Sequence, residues 1–265
     1  SGSSGARGRS PGSIVNQTVR YLILSDIHGN QEALSAVLEA ARADGYDSVV
    51  CLGDVVGYGA DPNPVVDWVK KNCQATVRGN HDKASVGLEN LEWFNPAARA
   101  SALWTRSVLT AENQEWLRQL PRGPVGVGEF QILHGSPVDE DEYLLHPSEV
   151  AQLVGYLDAR VSFFGHTHVQ GGFRILRNTV KVIPAVRWGV DREELTLELD
   201  SEYLINPGSV GQPRDRDPRA AWALYIPEER LVVFRRVEYD VPVASAKIVE
   251  AGLPGILAQR LHSGQ

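Results

Sequence analysis

Side chains able to bind metal ions recur in five short segments of the sequence, each at the end of a predicted strand or directly after it. The segments are Asp26-Ile27-His28, Gly53-Asp54, Gly79-Asn80-His81-Asp82, His134-Gly135 and Gly165-His166-Thr167-His168. Sites in open α/β sheets form at the carboxyl ends of strands. Residues i and i+2 of an extended segment point the same way, so Asp26 with His28, and His166 with His168, are each expected to aim two ligands at one place.

The donors in these segments are too many for one tetrahedral zinc ion, which takes four ligands. They are four imidazoles, two carboxylates and one amide oxygen, from His28, His134, His166, His168, Asp26, Asp54 and Asn80. This set suits two ions that share a bridging carboxylate, and its mixed nitrogen and oxygen chemistry favours Mn, Fe, Zn, Co or Ni over Ca or Mg. A two-metal site activates a water and holds the attacking and leaving oxygens of an in-line displacement, which is phosphoester chemistry.

Alternating strands and helices must position these segments. Short apolar runs predict strands over residues 19–25, 48–52, 75–78, 125–134 and 161–164. Helices are predicted from Asn30 to Gly45, from the N-cap Asn63 to about residue 72, and from Pro147 through residue 157. The short connections indicate βαβ units with a parallel sheet, and residues 171–238 indicate an antiparallel or mixed sheet followed by one or two helices. The predicted fold class is therefore α/β.

Length and composition fit one domain over residues 18–265. The chain has 265 residues, a net charge of −7 and 43% hydrophobic residues, enough for a core and without the basic excess of a nucleic-acid binder. A helical insert is predicted over about residues 83–123, with helix starts at Asn95 and Thr110. Residues 1–17 are interpreted as a tag remnant and a disordered N-terminus. Two cysteines and the lack of a long apolar run argue against a disulfide scaffold and a membrane partner, and a cytoplasmic protein is expected.

The ordered set DxH…GD…GNHD…H…GHTH, from about residue 21 to His168, resembles the signature of the calcineurin-like metallophosphoesterase superfamily. The later Asn206-Pro207-Gly208-Ser209 is similar to a segment of its small bacterial and archaeal phosphodiesterase-like members. The resemblance implies a four-layer αββα sandwich with two mixed β-sheets. It also implies two divalent transition-metal ions at the sheet edges, with Mn the expected ion in vitro.

The same resemblance implies a role for each residue. The first ion would take Asp26, His28, Asp54 and His168, and the second would take Asp54, Asn80, His134 and His166. A hydroxide bridging the two ions would attack phosphorus in line. His81 would bind no metal and would face the phosphate, as general acid for the leaving group or as a charge stabiliser. Asp82 is grouped with it as catalytic and is expected to order that loop, either as a structural residue or by supporting the residues that act.

One departure from the family pattern bears on the substrate. Ser/Thr phosphatases and symmetrical diadenosine tetraphosphate hydrolases carry an arginine soon after the Gly-Asp motif, where it grips phosphate. Here the segment reads Asp54-Val55-Val56-Gly57-Tyr58-Gly59. The expected function is therefore hydrolysis of a small-molecule or nucleotide phosphodiester, with the oligomeric state left open. A phosphomonoesterase or nucleoside polyphosphatase is one alternative, and a catalytically silent interaction module on the same fold is another.

Several residues have both a functional and a structural interpretation. The predicted substrate-binding set is Asn30, Tyr58, Asn80 and His81. Asn30 is either a helix N-cap or an amide near the phosphate, and Tyr58 is either a pocket wall or a surface tyrosine. Arg78 is expected to point to the other sheet face, and Arg214 to lie in a solvated loop. The tryptophans of the insert, expected in the core or as one wall of a nucleotide pocket, are Trp93, Trp104 and Trp116. The histidines expected at the surface are His146 and His262.

Overall fold

The structure, a computed structural model, describes residues 18–265, so the predicted tag remnant and disordered segment at 1–17 lie outside it. The strands are β1 (Tyr21–Leu24), β2 (Ser48–Cys51), β3 (Ala75–Thr76), β4 (Val125–Val127), β5 (Phe130–Ile132), β6 (Val161–Phe163), β7 (Gly171–Leu176), β8 (Thr179–Ile183), β9 (Arg192–Thr196), β10 (Glu202–Asn206), β11 (Ala220–Ile226) and β12 (Leu231–Val237). The α-helices are α1 (Gln31–Asp44), α2 (Pro62–Asn72), α3 (Asn80–Ser85), α4 (Pro96–Val108), α5 (Ala111–Arg118), α6 (Pro147–Ala151), α7 (Val241–Glu250) and α8 (Gly255–Ser263).

The strands form two mixed sheets of six strands each. Sheet A has the order β3-β2-β1-β11-β12-β9, and sheet B has the order β4-β5-β6-β10-β7-β8. Strands β1, β2 and β3 are parallel, as are β5, β6 and β10, whereas the remaining neighbours are antiparallel. Each sheet therefore brings the carboxyl ends of three parallel strands to one edge.

Because side chains alternate along each strand, sheet A has apolar side chains on both of its faces. In β1, Leu22 and Leu24 pack against the helical layer of α1 and α2, while Ile23 packs between the sheets. In β11, Trp222 faces the helices and Tyr225 faces sheet B. These two cores confirm three layers of the predicted αββα sandwich: the helices, sheet A and sheet B.

The fourth layer, outside sheet B, contains α6, which is shorter than predicted. The helix predicted from Pro147 through residue 157 ends at Ala151. Beyond it, the Leu153 N–H bonds to the Val150 carbonyl in a tighter turn, and Gly155, with a φ of 95°, redirects the chain. Much of the cover on this face therefore comes from loop residues packed around α6.

Helix starts follow the sequence except at α2. The predicted caps Asn30, Asn95 and Thr110 accept hydrogen bonds at the first turns of α1, α4 and α5. Helix α2 instead begins at Pro62, one residue before the predicted cap Asn63, because proline also fits the first helical position. The Asn63 side chain accepts from the Thr110 backbone N–H and so joins α2 to α5.

Helices α4, α7 and α8 pack together as a wall beside the shared sheet edge. Ala98 of α4 and Leu257 of α8 meet Tyr58 in this wall. Trp104 packs against it and Trp116 packs on the core under sheet A, as predicted. The surface positions predicted for two histidines are also found, at His146 and His262. In residues 18–265, no helix has the length and apolar character that a membrane crossing requires.

Candidate metal centre

Six loops meet at one edge of the two sheets, each following the carboxyl end of a parallel strand. In chain order they carry Asp26 and His28, Asp54, Asn80 and His81, His134, His166 and His168, and Gln212. The two aspartates and the four cluster imidazoles are at most 3% exposed. The structure therefore brings together all seven donors predicted from the sequence, and we call these seven residues the Asp54 cluster.

The backbone is strained where these side chains leave it. Asp26, His28, Asp54, His166 and His168 have φ values between 50° and 66°. The alternation expected of an extended segment is therefore wrong here: the paired ligands converge because each loop turns through the left-handed region. Such conformations require about 1–3 kcal/mol each and persist at functional sites that the surrounding structure over-determines.

The donor atoms fall into two groups that share Asp54. The first is Asp26, His28, Asp54 and His168, and the second is Asp54, His134 and His166, with all donor atoms of a group within 4.8 Å of one another. Asp54 Oδ2 lies 3.5 Å from His28 Nε2 and 3.4 Å from His134 Nε2. Asn80 Oδ1, 3.3 Å from His134 Nε2, adds a fourth donor to the second group. Four donors per group with one shared carboxylate fit a pair of ions.

Backbone carbonyls orient three of the imidazoles for a metal. In each, Nδ1 faces a carbonyl oxygen: His28 faces Val56 at 3.0 Å, His134 faces Leu52 at 2.8 Å, and His168 faces Gln212 at 2.6 Å. A carbonyl only accepts hydrogen bonds, so Nδ1 carries a proton and Nε2 is the nitrogen that faces the cluster. This arrangement is the outer shell that metal-binding histidines require.

His166 is turned the other way. Its Nε2 lies 3.0 Å from the Asp141 carbonyl, so its Nδ1 is the nitrogen left for the cluster. Its ring stacks on Tyr143 with ring centres 3.9 Å apart. Its backbone N–H donates to the Asp26 carboxylate at 3.2 Å, which ties the β1 and β6 loops together.

Burial and charge set protonation states that suit a metal centre. Burial lowers the pKa of His166 to about 3 and also lowers the pKa values of His28 and His168, so these imidazoles are neutral. Burial alone would raise the pKa of Asp54, but the charge of His134 holds that pKa well below its usual value. Against the effect of burial, the Asp54 carboxylate raises the pKa of His134 to about 10. His134 must therefore release a proton when a metal binds.

His81 lies beside both groups and belongs to neither. Its backbone N–H donates to Asp54 Oδ1 at 2.8 Å, and its ring centre is 4.2 Å from that of Tyr58 and 5.0 Å from that of His28. Its buried Nδ1 has no hydrogen-bond partner within residues 18–265. Gly57, with a φ of 91°, lies flat against the ring, and a Cβ there would come within 2.6 Å of Nδ1. Burial lowers the pKa of His81 to about 4.

Asp82 holds two of the loops in place. Its carboxylate accepts from the backbone N–H groups of Val55 at 2.9 Å, Val56 at 3.2 Å and Gly79 at 2.9 Å. Burial, together with the Asp54 charge, raises the pKa of Asp82 to about 7. These contacts are those of a residue that orders the loops, as expected for Asp82.

Asn30 and Tyr58, both in the predicted substrate-binding set, differ in whether they can contact a substrate. Asn30 accepts from the Ala33 N–H at 3.0 Å and donates to the Gly211 carbonyl at 2.9 Å and the Tyr239 hydroxyl at 3.3 Å. These bonds make it an N-cap with no donor left for a phosphate. Tyr58 is buried rather than at the surface and lines the cleft described next.

A cleft of about 380 Å³ opens over the second group, and we call it the cluster cleft. Its aromatic wall is Trp93, which is 88% exposed instead of buried in the core, and Phe94, whose ring centre is 5.4 Å from that of His81. Glu89 and Asp141 also line it. Within the described chain, no lysine or arginine lines this cleft.

An ion-pair network supports the wall behind His166. Arg78, expected to point to the other sheet face, forms a bidentate pair with Glu140 at 2.7 and 2.8 Å. Lys83, only 6% exposed, lies 3.3 Å from Glu140 and 2.5 Å from the Asp141 carboxylate. Asp141 also provides the carbonyl that faces His166. This network joins residues about 60 positions apart, so no local sequence pattern indicates it.

Arg214 also lies elsewhere than the sequence predicted. It does not lie in a solvated loop: its backbone N–H donates to the His168 carbonyl at 3.1 Å. Its half-buried side chain donates to the Tyr58 hydroxyl at 3.3 Å. The one available signal was its position shortly after the Asn206-Pro207-Gly208-Ser209 segment.

Comparison with known proteins agrees with this geometry. Residues 19–170 match the family model described as calcineurin-like phosphoesterase. An uncharacterized protein of Methanocaldococcus jannaschii is 36% identical over 249 residues, which cover 92% of this chain and 97% of that protein. A metallophosphoesterase from Sphaerobacter thermophilus has a crystal structure with a TM-score of 0.80 and 39% identity, covering 94% of this chain and 100% of that one. A hypothetical protein from Pyrococcus horikoshii shares the fold, with a TM-score of 0.71, 22% identity, and coverage of 93% and 99%.

Proposed function

The chain belongs to the calcineurin-like phosphoesterase family, as a metal-dependent phosphoric ester hydrolase, and from that premise we propose that it cleaves phosphodiesters at the Asp54 cluster. Each ion would be held by four donors. The first set is Asp26, His28, Asp54 and His168, and the second is Asp54, Asn80, His134 and His166. When bound, two such ions supply Lewis acidity toward phosphoryl oxygens and lower the pKa of a coordinated water. The donor chemistry suits Mn, Fe, Zn, Co or Ni, and we choose Mn²⁺ for assays in vitro.

His81 is assigned to the leaving group. It lines the cluster cleft, its backbone is fixed on Asp54, and its ring is held between Gly57 and Tyr58. In this position an imidazole N–H can donate a hydrogen bond or a proton to the ester oxygen as the P–O bond breaks. Asp82 acts through position, because its three backbone contacts hold the loops that carry His81 and Asp54.

The lack of a free cation in the described lining of the cluster cleft is the observation that carries the diester assignment. Within residues 18–265, no lysine or arginine lines it, and Lys83 behind the wall is already paired with the lining carboxylates of Glu89 and Asp141. A phosphomonoester dianion brings a further terminal oxygen that needs a cation besides the two metal ions. A diester has a neutral substituent in that place, and Trp93 and Phe94 offer an aromatic surface for it.

Hydrolysis of bis(p-nitrophenyl) phosphate and p-nitrophenyl phosphate by metal-stripped protein reloaded with Mn²⁺ tests this proposal. We expect Mn²⁺-dependent turnover with kcat/KM about tenfold or more in favour of the diester, the effect of one unpaired charged hydrogen bond. Asp54→Asn should be inactive on both substrates, while the exposed Asp158→Asn should match the wild type. Preference for the monoester would contradict the assignment and favour the phosphatase alternative. No turnover of either substrate with two ions bound would favour the silent module.

A further inference from the structure

A second compartment lies beside the cluster cleft, on the other side of Tyr58. It measures about 470 Å³ and shares Tyr58, Asn95 and Tyr143 with the cluster cleft. Its other lining residues are Arg214, Ile256, Arg260 and Gln265. No residue of the Asp54 cluster lines it, and neither does any aspartate or glutamate side chain of the described range. We call it the arginine compartment.

The Arg214 guanidinium is placed here without a carboxylate partner. Its contacts are the Tyr58 hydroxyl at 3.3 Å and Gln212 Oε1 at 3.1 Å, and within residues 18–265 no carboxylate oxygen lies within 4.0 Å of it. Its Cζ lies 5.7 Å from the centre of the Tyr58 ring. A guanidinium presents five donors in a fork that matches phosphate or carboxylate, so neutral partners leave this group able to bind an anion.

The acidic residues next to Arg214 in sequence are committed elsewhere. Asp215 pairs with Arg236, whose side chain is buried, and Asp217 pairs with Arg219 at 2.7 Å. These two ion pairs fix the segment that follows Arg214. The lack of a carboxylate beside Arg214 is therefore part of how this segment folds.

Arg260 supplies a second cation from a distant part of the chain. It lies on α8, is half-buried, and has no carboxylate oxygen within 4.0 Å in the part of the chain that the structure describes. The two compartments therefore differ in the cations they offer: no lysine or arginine lines the cluster cleft, whereas two arginines line its neighbour, neither of them in an ion pair within residues 18–265. A substrate with an anionic group at one end would bind in one orientation.

We propose that the arginine compartment binds a second phosphate of the substrate, one that is not cleaved, while the scissile phosphodiester lies at the Asp54 cluster. This inference rests on the proposed function and narrows its substrate to nucleotide phosphodiesters that carry a further phosphate. Arg214 Cζ is 5.7 Å from the Tyr58 ring centre, which is 4.2 Å from the His81 ring centre, so the guanidinium lies within about 10 Å of His81. A nucleoside phosphorylated on both its 3′ and 5′ oxygens spans a distance of this order.

Two substrates that differ by one phosphate test the proposal. They are the p-nitrophenyl ester of thymidine 5′-phosphate with and without a 3′-phosphate, which share the scissile bond and the leaving group. With Mn²⁺, we expect the wild type to prefer the 3′-phosphorylated ester about tenfold or more in kcat/KM, the contribution of one charge-assisted contact. Arg214→Gln should bring this ratio close to one, and Arg260→Gln should lower it. Arg216→Gln, at an exposed arginine two residues away, should leave the ratio unchanged.

Binding separates failure of this inference from failure of the proposed function. Calorimetry on the same Mn²⁺-loaded proteins compares thymidine 3′,5′-bisphosphate with thymidine 5′-monophosphate. Tighter binding of the bisphosphate by about tenfold, lost in Arg214→Gln, supports the second phosphate site even where neither ester is hydrolysed. Equal binding of the two nucleotides by the wild type, or a preference that survives in both arginine variants, overturns the inference whether or not the esters are hydrolysed.

Discussion

Replacing Gly57 with alanine should displace His81 while leaving every proposed metal ligand in place. A Cβ at this position would lie 2.6 Å from His81 Nδ1 and 2.9 Å from its Cβ and Cγ. The ring must move back by about 0.8 Å to reach an ordinary contact of 3.4 Å. A catalytic group misplaced by about 1 Å loses about a hundredfold in rate, so we expect kcat to fall between about ten- and a hundredfold. The φ of 91° also destabilises alanine here, by about 1–3 kcal/mol.

The assay combines metal content with two leaving groups. Gly57→Ala should retain two ions per chain by mass spectrometry, because its Cβ meets His81 and not a ligand. The loss of kcat should be larger for thymidylyl-thymidine, whose alkoxide needs a proton, than for a p-nitrophenyl ester, whose phenolate departs with little help. Gly126→Ala is the matched control, since no atom lies within 4 Å of a Cβ at that position.

Two results would refute this reasoning about His81. Wild-type kcat in Gly57→Ala with both substrates would show that the ring position does not matter for turnover. An equal loss for both leaving groups would contradict proton donation and leave His81 as a charge stabiliser alone.

The remaining predictions concern the cleft wall, the ion-pair network and the cluster. Trp93→Ala should raise KM for thymidine esters between about five- and a hundredfold, because stacking of the base on the indole ring is lost. Trp188→Ala, at a tryptophan that is also exposed but lies outside the cleft, should leave KM unchanged. Equal KM values in the two variants would contradict base stacking. Lys83→Met removes the cation shared by Glu89 and Asp141, while Glu140 keeps Arg78, and should lower the free energy of unfolding by about 1–3 kcal/mol in urea titrations of metal-free protein. A loss below about 1 kcal/mol would argue against the network. Gly79→Ala places a Cβ 2.1 Å from Asp54 Oδ1 and should abolish retention of both ions after dialysis; a variant that keeps two ions would contradict the geometry.

The cluster could be predicted from the sequence because its position depends on local features. Each donor follows a short apolar strand, and parallel strands end at a common edge, so Asp26, Asp54 and His166 were expected to meet before any contact was known. Helix caps such as Asn30 depend on one side chain and the first turn of the helix, and they were predicted as well.

The cleft walls could not be predicted in this way because they depend on tertiary packing. Tyr58 is buried in an apolar cluster with residues of α4, α7 and α8, which come from distant parts of the chain. The backbone of Arg214 bonds to the His168 carbonyl, and its neighbour Asp215 pairs with Arg236 on β12, and no local pattern indicates either contact. The loop turns were also missed, since a positive φ at residues such as His28 has no reliable signature in a single sequence.

Sharing of the Asp54 carboxylate by two metal ions is tested most directly by EPR during titration of metal-stripped protein with Mn²⁺. We expect two ions per chain with the spectrum of an exchange-coupled pair, because the shared carboxylate brings the two groups together. Asp54→Asn should lose the coupled signal, and Asp158→Asn should keep it. A single bound ion, or two uncoupled ions in the wild type, would contradict the dinuclear centre.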